Sequence, residues 1–551
     1  MNRRAGDYAF HSHHIANGAT GSHGTDPAAV AVVHATGSHD DPDPITGVMD
    51  PSPSAQNGWD AVVTKISDAG VFEGIFAVDT MSVDGKYNDS SLNSGWGGYS
   101  FLTDLDTFAA SGDNDNMVAM GSFRGKLTFP TAAGAAPVTL ENPKWKRYDG
   151  FLTKFNVNTH KVVWASGDKI QRPTCNTKTD GTPDSKCDEP TSVGGSVSTT
   201  SEGHIVATSN YGDAAGGRTS NGRLFLVNGN TGANVWHKDL GAGNFMYGTE
   251  TIGTKAYVVG VINGTGIDPF NTGTTKNYTE APAIAAFDAS AAGSGAFEWS
   301  FSFGEKGTAA SIVADPAGTH LYVGGHLAAA PETGTGKYTI NSACSLTGKY
   351  GGFLMKLVAA TGECLWATDT PKVGYASTRW GFRDHGLDVD ATGTYLYTVT
   401  HDDEPMVFDD AHTVPVRGLN NDGFLAKYSC ADGVGQWAES IGGHGADAIR
   451  DVVTTPNGIV IAGTTKSQSV KLGDVEILNL QHKRADGAAT ASAGENAHFV
   501  MMIHDEKTIS CIQTCTADTT TAVIKDGFCL FGSTCVANGA PACIGSASTT
   551  P

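Results

Sequence analysis

Asp422-Gly423-Phe424-Leu425-Ala426-Lys427-Tyr428, followed by a polar turn and Trp437, is the stretch whose reading decides the fold. It recurs as Asp149-Gly150-Phe151-Leu152-Thr153-Lys154-Phe155 with Trp164, and as Gly351-Gly352-Phe353-Leu354-Met355-Lys356-Leu357 with Trp366. The phenylalanine-to-tryptophan spacing is 13 residues in all three. Weaker copies run from Asp60 to Lys65, Arg223 to Trp236, Ile284 to Trp299 and Phe499 to Ile503. Aligned on the lysine, the column reads Lys65, Lys154, Leu226, Ala286, Lys356, Lys427 and Met502, at intervals of 60 to 89 residues. Self-similarity at a long period marks a repeat architecture, and this period suits a four-stranded blade with a long loop.

Within a unit the hydrophobic period is two. Phe424, Ala426 and Tyr428 fall on one face and Leu425 and Lys427 on the other, as a strand requires. A second strand starts at the tryptophan, and a further pair surrounds a Gly-containing turn, as in Ala448 to Gly463. Each unit presents an apolar face that a neighbour must bury, so the units are expected to close into a ring.

These residues resemble the seven-bladed β-propeller repeats called SBBP repeats, with Gly442-Gly443-His444-Gly445-Ala446-Asp447 matching the G-G-x-G-x-D turn of that family. Asn230-Thr231-Gly232-Ala233-Asn234-Val235-Trp236 also resembles the T-G-x-x-x-W turn of pyrroloquinoline-quinone-type propellers. The resemblance implies an all-β propeller over residues 1–510. Seven four-stranded blades are expected near 57–130, 148–217, 220–266, 281–331, 350–410, 421–478 and 495–509. The last of these is too short alone, and 6–47, containing the headless hairpin Ala28 to Gly37, is expected to complete it, so that strands from both termini close the ring.

Composition fits many short strands joined by tight turns: 70 glycines in 551 residues, and 17% charged residues. The net charge of −21, with no clustered Lys and Arg, argues against nucleic acid and anionic membranes as partners. No apolar run reaches the length of a membrane span.

Ten cysteines point to an oxidising compartment. Five of them, Cys511, Cys515, Cys529, Cys535 and Cys543, crowd residues 511–551, which look like the start of an EGF-like or similar cysteine-rich segment. Five cannot all pair among themselves, so either one reaches back to the propeller, with Cys430 the candidate, or the segment continues in a longer protein. A zinc site is the competing reading, but the spacings lack a paired C-x2-C form. Cys175 with Cys187, and Cys344 with Cys364, read as local disulfide candidates. Asn88, Asn263 and Asn277 head glycosylation sequons in polar loops. The N-terminus shows no secretory signal, which suggests a fragment of an extracellular or cell-surface protein.

Asp388, Asp390 and Thr392 match the first half of a calcium loop, but Val399 stands where the closing Glu belongs, and the segment coincides with a repeat hairpin turn. The acidic group Asp104, Asp106, Asp113 and Asp115 reads as a solvated loop, and the histidines His11, His13, His14 and His23 as a polar terminus. No catalytic residue and no cofactor is expected. The function expected is a non-enzymatic scaffold binding protein or glycan through inter-blade loops. The alternative is a quinone-dependent oxidoreductase, against which stand the absence of adjacent cysteines and the count of seven.

Overall fold

The computed structural model describes the strands and adjoining turns between Tyr99 and Ser510, apart from inter-strand segments that include 109–114, 142–148, 168–191, 213–219, 268–275, 328–337, 372–385 and 479–496. It also describes strand backbones at 15–17, 29–35, 60–66, 72–81, 524–525 and 528–529. No helix among these residues is long and apolar enough to cross a membrane.

The chain is an all-β propeller. The N-terminal strands β1 (Ile15–Asn17), β2 (Ala29–Ala35), β3 (Asp60–Ile66) and β4 (Phe72–Met81) form one sheet. Blade one follows with β5 (Tyr99–Thr107), β6 (Asn116–Arg124), β9 (Asp149–Asn156) and β10 (Lys161–Ser166). Between its second and third strands lies the hairpin β7 (Lys126–Phe129) and β8 (Val138–Glu141), which extends the N-terminal sheet by pairing with β4. Blade two is β11 (Ser192–Thr199), β12 (His204–Gly212), β13 (Ser220–Asn228) and β14 (Asn234–Ala242). Blade three is β15 (Phe245–Ile252), β16 (Lys255–Ile267), β17 (Lys276–Asp288) and β18 (Phe297–Ser302).

Blade four contains β19 (Gly307–Ala314) and β20 (His320–Leu327), an inserted hairpin β21 (Tyr338–Thr339) and β22 (Ser345–Leu346), then β23 (Gly351–Val358) and β24 (Cys364–Pro371). Blade five contains β25 (Leu387–Val389) and β26 (Tyr395–Asp402), the hairpin β27 (Met406–Val407) and β28 (Thr413–Val414), then β29 (Asp422–Ser429) and β30 (Gly435–Gly442). Blade six is β31 (Asp447–Thr455), β32 (Gly458–Thr465), β35 (Ala497–His504) and β36 (Thr508–Ser510); between its second and third strands lies the hairpin β33 (Ser469–Leu472) and β34 (Val475–Leu478), which pairs with β30 and extends the sheet of blade five. A last pair, β37 (Ile524–Lys525) and β38 (Phe528–Cys529), lies in the cysteine-rich region.

Two expectations are corrected here. Six blades of the expected build, rather than seven, stand among the described residues, and the N-terminal sheet lies between blade six and blade one. The termini also do not share a sheet, since β2 pairs with β3 while β35 pairs with β32. The physical reason is the place of the repeated stretch. The lysine-column strands β9, β23 and β29 are third strands and each tryptophan sits on a fourth, so the Gly-containing hairpin that follows opens the next blade. The expected 421–478 blade therefore holds β29 and β30 of blade five with the hairpin β33–β34 that extends its sheet, and β31 and β32 of blade six, and the other expected limits straddle junctions likewise. Because β31 and β32 supply β35 with its partner, no N-terminal strand is required there.

The core runs through the blade interfaces. Leu224, Leu226, Met246, Val258, Ala285 and Phe287 pack blade two on blade three, and Tyr397, Leu425, Ile449, Ile461 and Met501 pack blade five on blade six. Lysines of the repeat column are enclosed by lying over aromatic rings: Lys154 Nζ is 3.4 Å from the Phe108 centroid, and Lys427 Nζ is 3.7 Å from that of Tyr395.

Candidate functional site

The tryptophans lock blade to blade. Trp164 Nε1 donates to the Gly229 carbonyl at 2.9 Å, Trp299 to Ala359 at 3.1 Å and Trp366 to Cys430 at 3.2 Å, each in the third-to-fourth strand turn of the next blade. Their rings cover Gly232, Gly362 and Gly433, all at positive φ, where an added Cβ would meet the indole. Trp236 of the T-G-x-x-x-W turn does the same, donating to Ser290 and covering Gly295. The G-G-x-G-x-D turn is also structural. Asp447, almost fully buried, accepts the Gly443 amide at 2.7 Å and the Ser467 hydroxyl at 2.6 Å.

The innermost strands β5, β11, β15, β19, β25 and β31 line a cavity of about 510 Å³. Five carboxylates lie along it, Asp104, Asp106, Glu250, Asp388 and Asp451, and among the described residues no lysine or arginine does. Strand register shows that three of them are equivalent. Asp106 pairs through Val118 to Lys154, Glu250 through Tyr257 to Ala286, and Asp388 through Tyr397 to Lys427, so all three align with the repeat's lysine column. They occupy blades one, three and five. Blades two, four and six have Ser198, Val313 and Val453 at the same level.

Each of the three uses one oxygen on its own strand: Thr107 N donates to Asp106 at 2.7 Å, Thr251 N to Glu250 at 2.8 Å and Val389 N to Asp388 at 2.9 Å. The other oxygen turns to the next blade's inner strand. Ala314 N donates to Glu250 Oε2 at 3.2 Å, and Thr454 donates to Asp388 Oδ2 from its amide at 2.6 Å and its hydroxyl at 2.9 Å. Asp106 faces Thr199 in the same way. An inner strand is a sheet edge with unpaired amides, and these carboxylates satisfy some of them. Asp104 adds a bond from Val197 N at 2.7 Å and one from the Ser196 hydroxyl.

The three side chains are half-buried along the cavity, and their partial removal from water drives their acidities down. Asp106 is raised to about 7, chiefly by burial with help from Asp104. Glu250 is raised to about 8 by burial and the charges of Asp106 and Asp388, and Asp388 to about 6 by burial and Asp390.

The calcium candidates are not gathered on one point. Asp388 is turned to β31, while Asp390 accepts the Thr392 hydroxyl at 2.8 Å and the Thr394 amide at 2.7 Å within the hairpin turn. Among the described residues no cluster of three His, Cys, Asp or Glu side chains could hold a metal ion. Asp104 and Asp106, expected in a solvated loop, lie instead on β5 facing the cavity, because the strand runs through them.

Cys344 and Cys364 form a disulfide that ties the β21–β22 hairpin to β24. Cys430, the candidate for a bridge to the tail, is a free thiol, 1% exposed, whose pKa burial pushes up to about 11. It is enclosed between blades four and five with Tyr322 and Trp366, which leaves no room for a partner chain. Asn263 is exposed on β16, and Asn277 lies on β17. Asn88, Cys175, Cys187, Cys511, Cys515, Cys535, Cys543 and the four N-terminal histidines lie outside the described residues, and of Cys529 only the backbone of β38 is described. The alternating carboxylates went unread in the sequence. Counting back two strands from the lysine column would have found them.

No family model matches the chain, and no curated protein matches it. Among solved structures it is similar to BamB from Moraxella catarrhalis, at 13% identity and a TM-score of 0.31 over 66% of this chain and 82% of that one. It is also similar to the quinohemoprotein alcohol dehydrogenase from Comamonas testosteroni, at 13% identity and a TM-score of 0.30 over 64% of each chain. A third is the β-propeller domain of the Trilobed protease from Pyrococcus furiosus, at 10% identity and a TM-score of 0.30 over 69% and 95%. Likenesses this distant say nothing of the chemistry of this chain.

Proposed function

We propose that the protein is a non-enzymatic extracellular or cell-surface scaffold that binds a protein or glycan through segments inserted between the second and third strands of its blades. The observation that carries this reading is the placement of those insertions. In an antiparallel meander every second-to-third connection leaves the same side of the sheet, so hairpins β7–β8, β21–β22, β27–β28 and β33–β34 and the long ends of β16 and β17 all rise on one side of the ring. The turns on the opposite side stay short, as at Asp315 to His320 and Asn228 to Ala233. Variable segments on a rigid frame are where binding usually resides.

The Cys344–Cys364 disulfide favours an oxidising compartment, and exposed Asn263 on the elaborated side offers a place for a glycan.

The test is a glycan array and a cell-surface binding assay on the full chain, and on a variant whose residues 403–416 are replaced by a short Gly-containing turn. The expected outcome is binding that the variant loses while its thermal unfolding is unchanged. Turnover of an alcohol or sugar with added quinone and calcium would favour the oxidoreductase instead.

A further inference from the structure

The geometry points to a proton-linked lock at the centre of the ring: Asp106, Glu250 and Asp388 act as one carboxyl set that holds alternate blade junctions and is tightest in mildly acidic medium. The three stand at one level of the cavity in blades one, three and five, and each faces the inner strand of the following blade, at Thr199, Ala314 and Thr454. Each therefore joins a junction as well as lining the cavity. The groups that face them are themselves acidic or uncharged. Asp104 lies beside Asp106, and Asp390 opens the turn just past the end of β25, two residues after Asp388. Glu250 feels Asp106 and Asp388, and it bears in turn on the phenol of Tyr257 on β16. Asp451 lines the cavity on β31, next to Arg450, a buried guanidinium that is not among the lining residues. Across from Glu250, β19 brings Ala314 and then Asp315, which is tied to His320 in its own turn.

Ionising all three thus places like charges around one cavity, with no lysine or arginine among its described lining residues to offset them. A neutral carboxyl still accepts an amide through its carbonyl oxygen, so protonation relieves the repulsion without removing the junction contact. The linkage sign follows. Carboxyls held above their ordinary values bind protons in the folded chain that the unfolded chain has released, so their contribution is fully present below about pH 4 and is lost as pH rises toward 6 to 8.

The experiment measures urea unfolding of the full chain from pH 4.5 to 8.5, for the natural sequence and for the triple variant Asp106→Asn, Glu250→Gln and Asp388→Asn. Expected is an unfolding constant that, relative to the variant, rises about tenfold per pH unit for each proton involved. The single variants, should the triple one not fold, are expected to show smaller slopes of the same sign. Infrared spectra of the natural protein are expected to keep a protonated-carboxyl band near pH 6 that shrinks in each variant. Equal pH slopes in natural and variant proteins, or no such band, would overturn the proposal. So would tight calcium binding at pH 8 that the variants lose, since a cation would then be what the set is built to hold.

Discussion

Trp366 on the outer strand of blade four donates its indole N–H to the carbonyl of Cys430 in blade five, and its ring covers Gly433. The same carbonyl also receives Lys356 Nζ at 3.1 Å. At the equivalent place in blade two, Gly229 O receives Trp164 Nε1 at 2.9 Å.

These two sites should therefore respond differently to one substitution. Trp164→Phe is expected to cost about 1–3 kcal/mol through the buried carbonyl that loses its indole donor. Trp366→Phe should cost less, because the lysine remains. Trp164→Ala should approach about 3–5 kcal/mol. Urea denaturation of the three variants checks the order, and equal losses for the two phenylalanine variants would count against the lock.

Gly253 and Gly362 separate backbone strain from crowding. Both have positive φ, at 62° and 71°, so alanine at either costs about 1–2 kcal/mol for the conformation alone. At Gly253 nothing lies near an added Cβ, whereas at Gly362 it would stand 2.5 Å from Trp299 Cε3. Gly362→Ala is expected to be clearly the more destabilising in thermal unfolding and to shift the fluorescence of Trp299.

The disulfide closes a separation of 20 residues, for which loop entropy suggests about 3 kcal/mol. Cys344→Ser with Cys364→Ser should lower stability by up to that amount and expose 338–346 to limited proteolysis. Cleavage confined to that segment is the expected pattern. Cleavage spread across the blades would mean that the bridge holds more than its hairpin.

His401 works against the central carboxyls. Burial lowers its pKa from 6.5 to about 4, so the fold keeps the ring neutral. Its contribution is fully present above pH 6.5 and is lost as pH falls toward 4. His401→Gln should flatten the acid side of the stability curve while leaving the curve above pH 7 unchanged. A variant with the same acid slope as the natural protein would show that His401 is not the group responsible.

Much of the frame was legible in residues alone. The alternation in Phe424 to Tyr428 marks a strand, and the fixed distance to Trp437 marks the turn and partner strand that follow. What could not be read was which hairpin closes which sheet. The G-G-x-G-x-D turn at 442–447 looks like an internal turn, yet it passes from the rim of one blade to the axis of the next, and only pairing such as Ile461 with Met501 reveals this. The carboxyl set was hidden for a related reason. The separation from carboxyl to lysine column is not constant, 48 residues from Asp106 to Lys154, 36 from Glu250 to Ala286 and 39 from Asp388 to Lys427, because the connections between the strands differ in length, so no fixed spacing exposes the set. The repeated lysine-and-tryptophan pattern marks the frame that the blades share, and the inserted hairpins follow no common pattern that a repeat could expose.

Because the repeated stretch supplies the third and fourth strands of one blade and its following hairpin opens the next, units contiguous in sequence are not the units that fold together. A piece cut at the repeat's own borders, such as 421–478, would carry two half-sheets, each lacking its partner strands. A piece cut at the junctions, such as 387–442, would carry the four strands of blade five but lose the hairpin β33–β34 that extends its sheet and the tryptophan of the preceding blade. Neither choice isolates an independent body. The chain is in this sense laced rather than beaded: duplication or loss of one repeat rewrites two neighbouring sheets at once, and partial unfolding has to open at a seam where an indole and its glycine part.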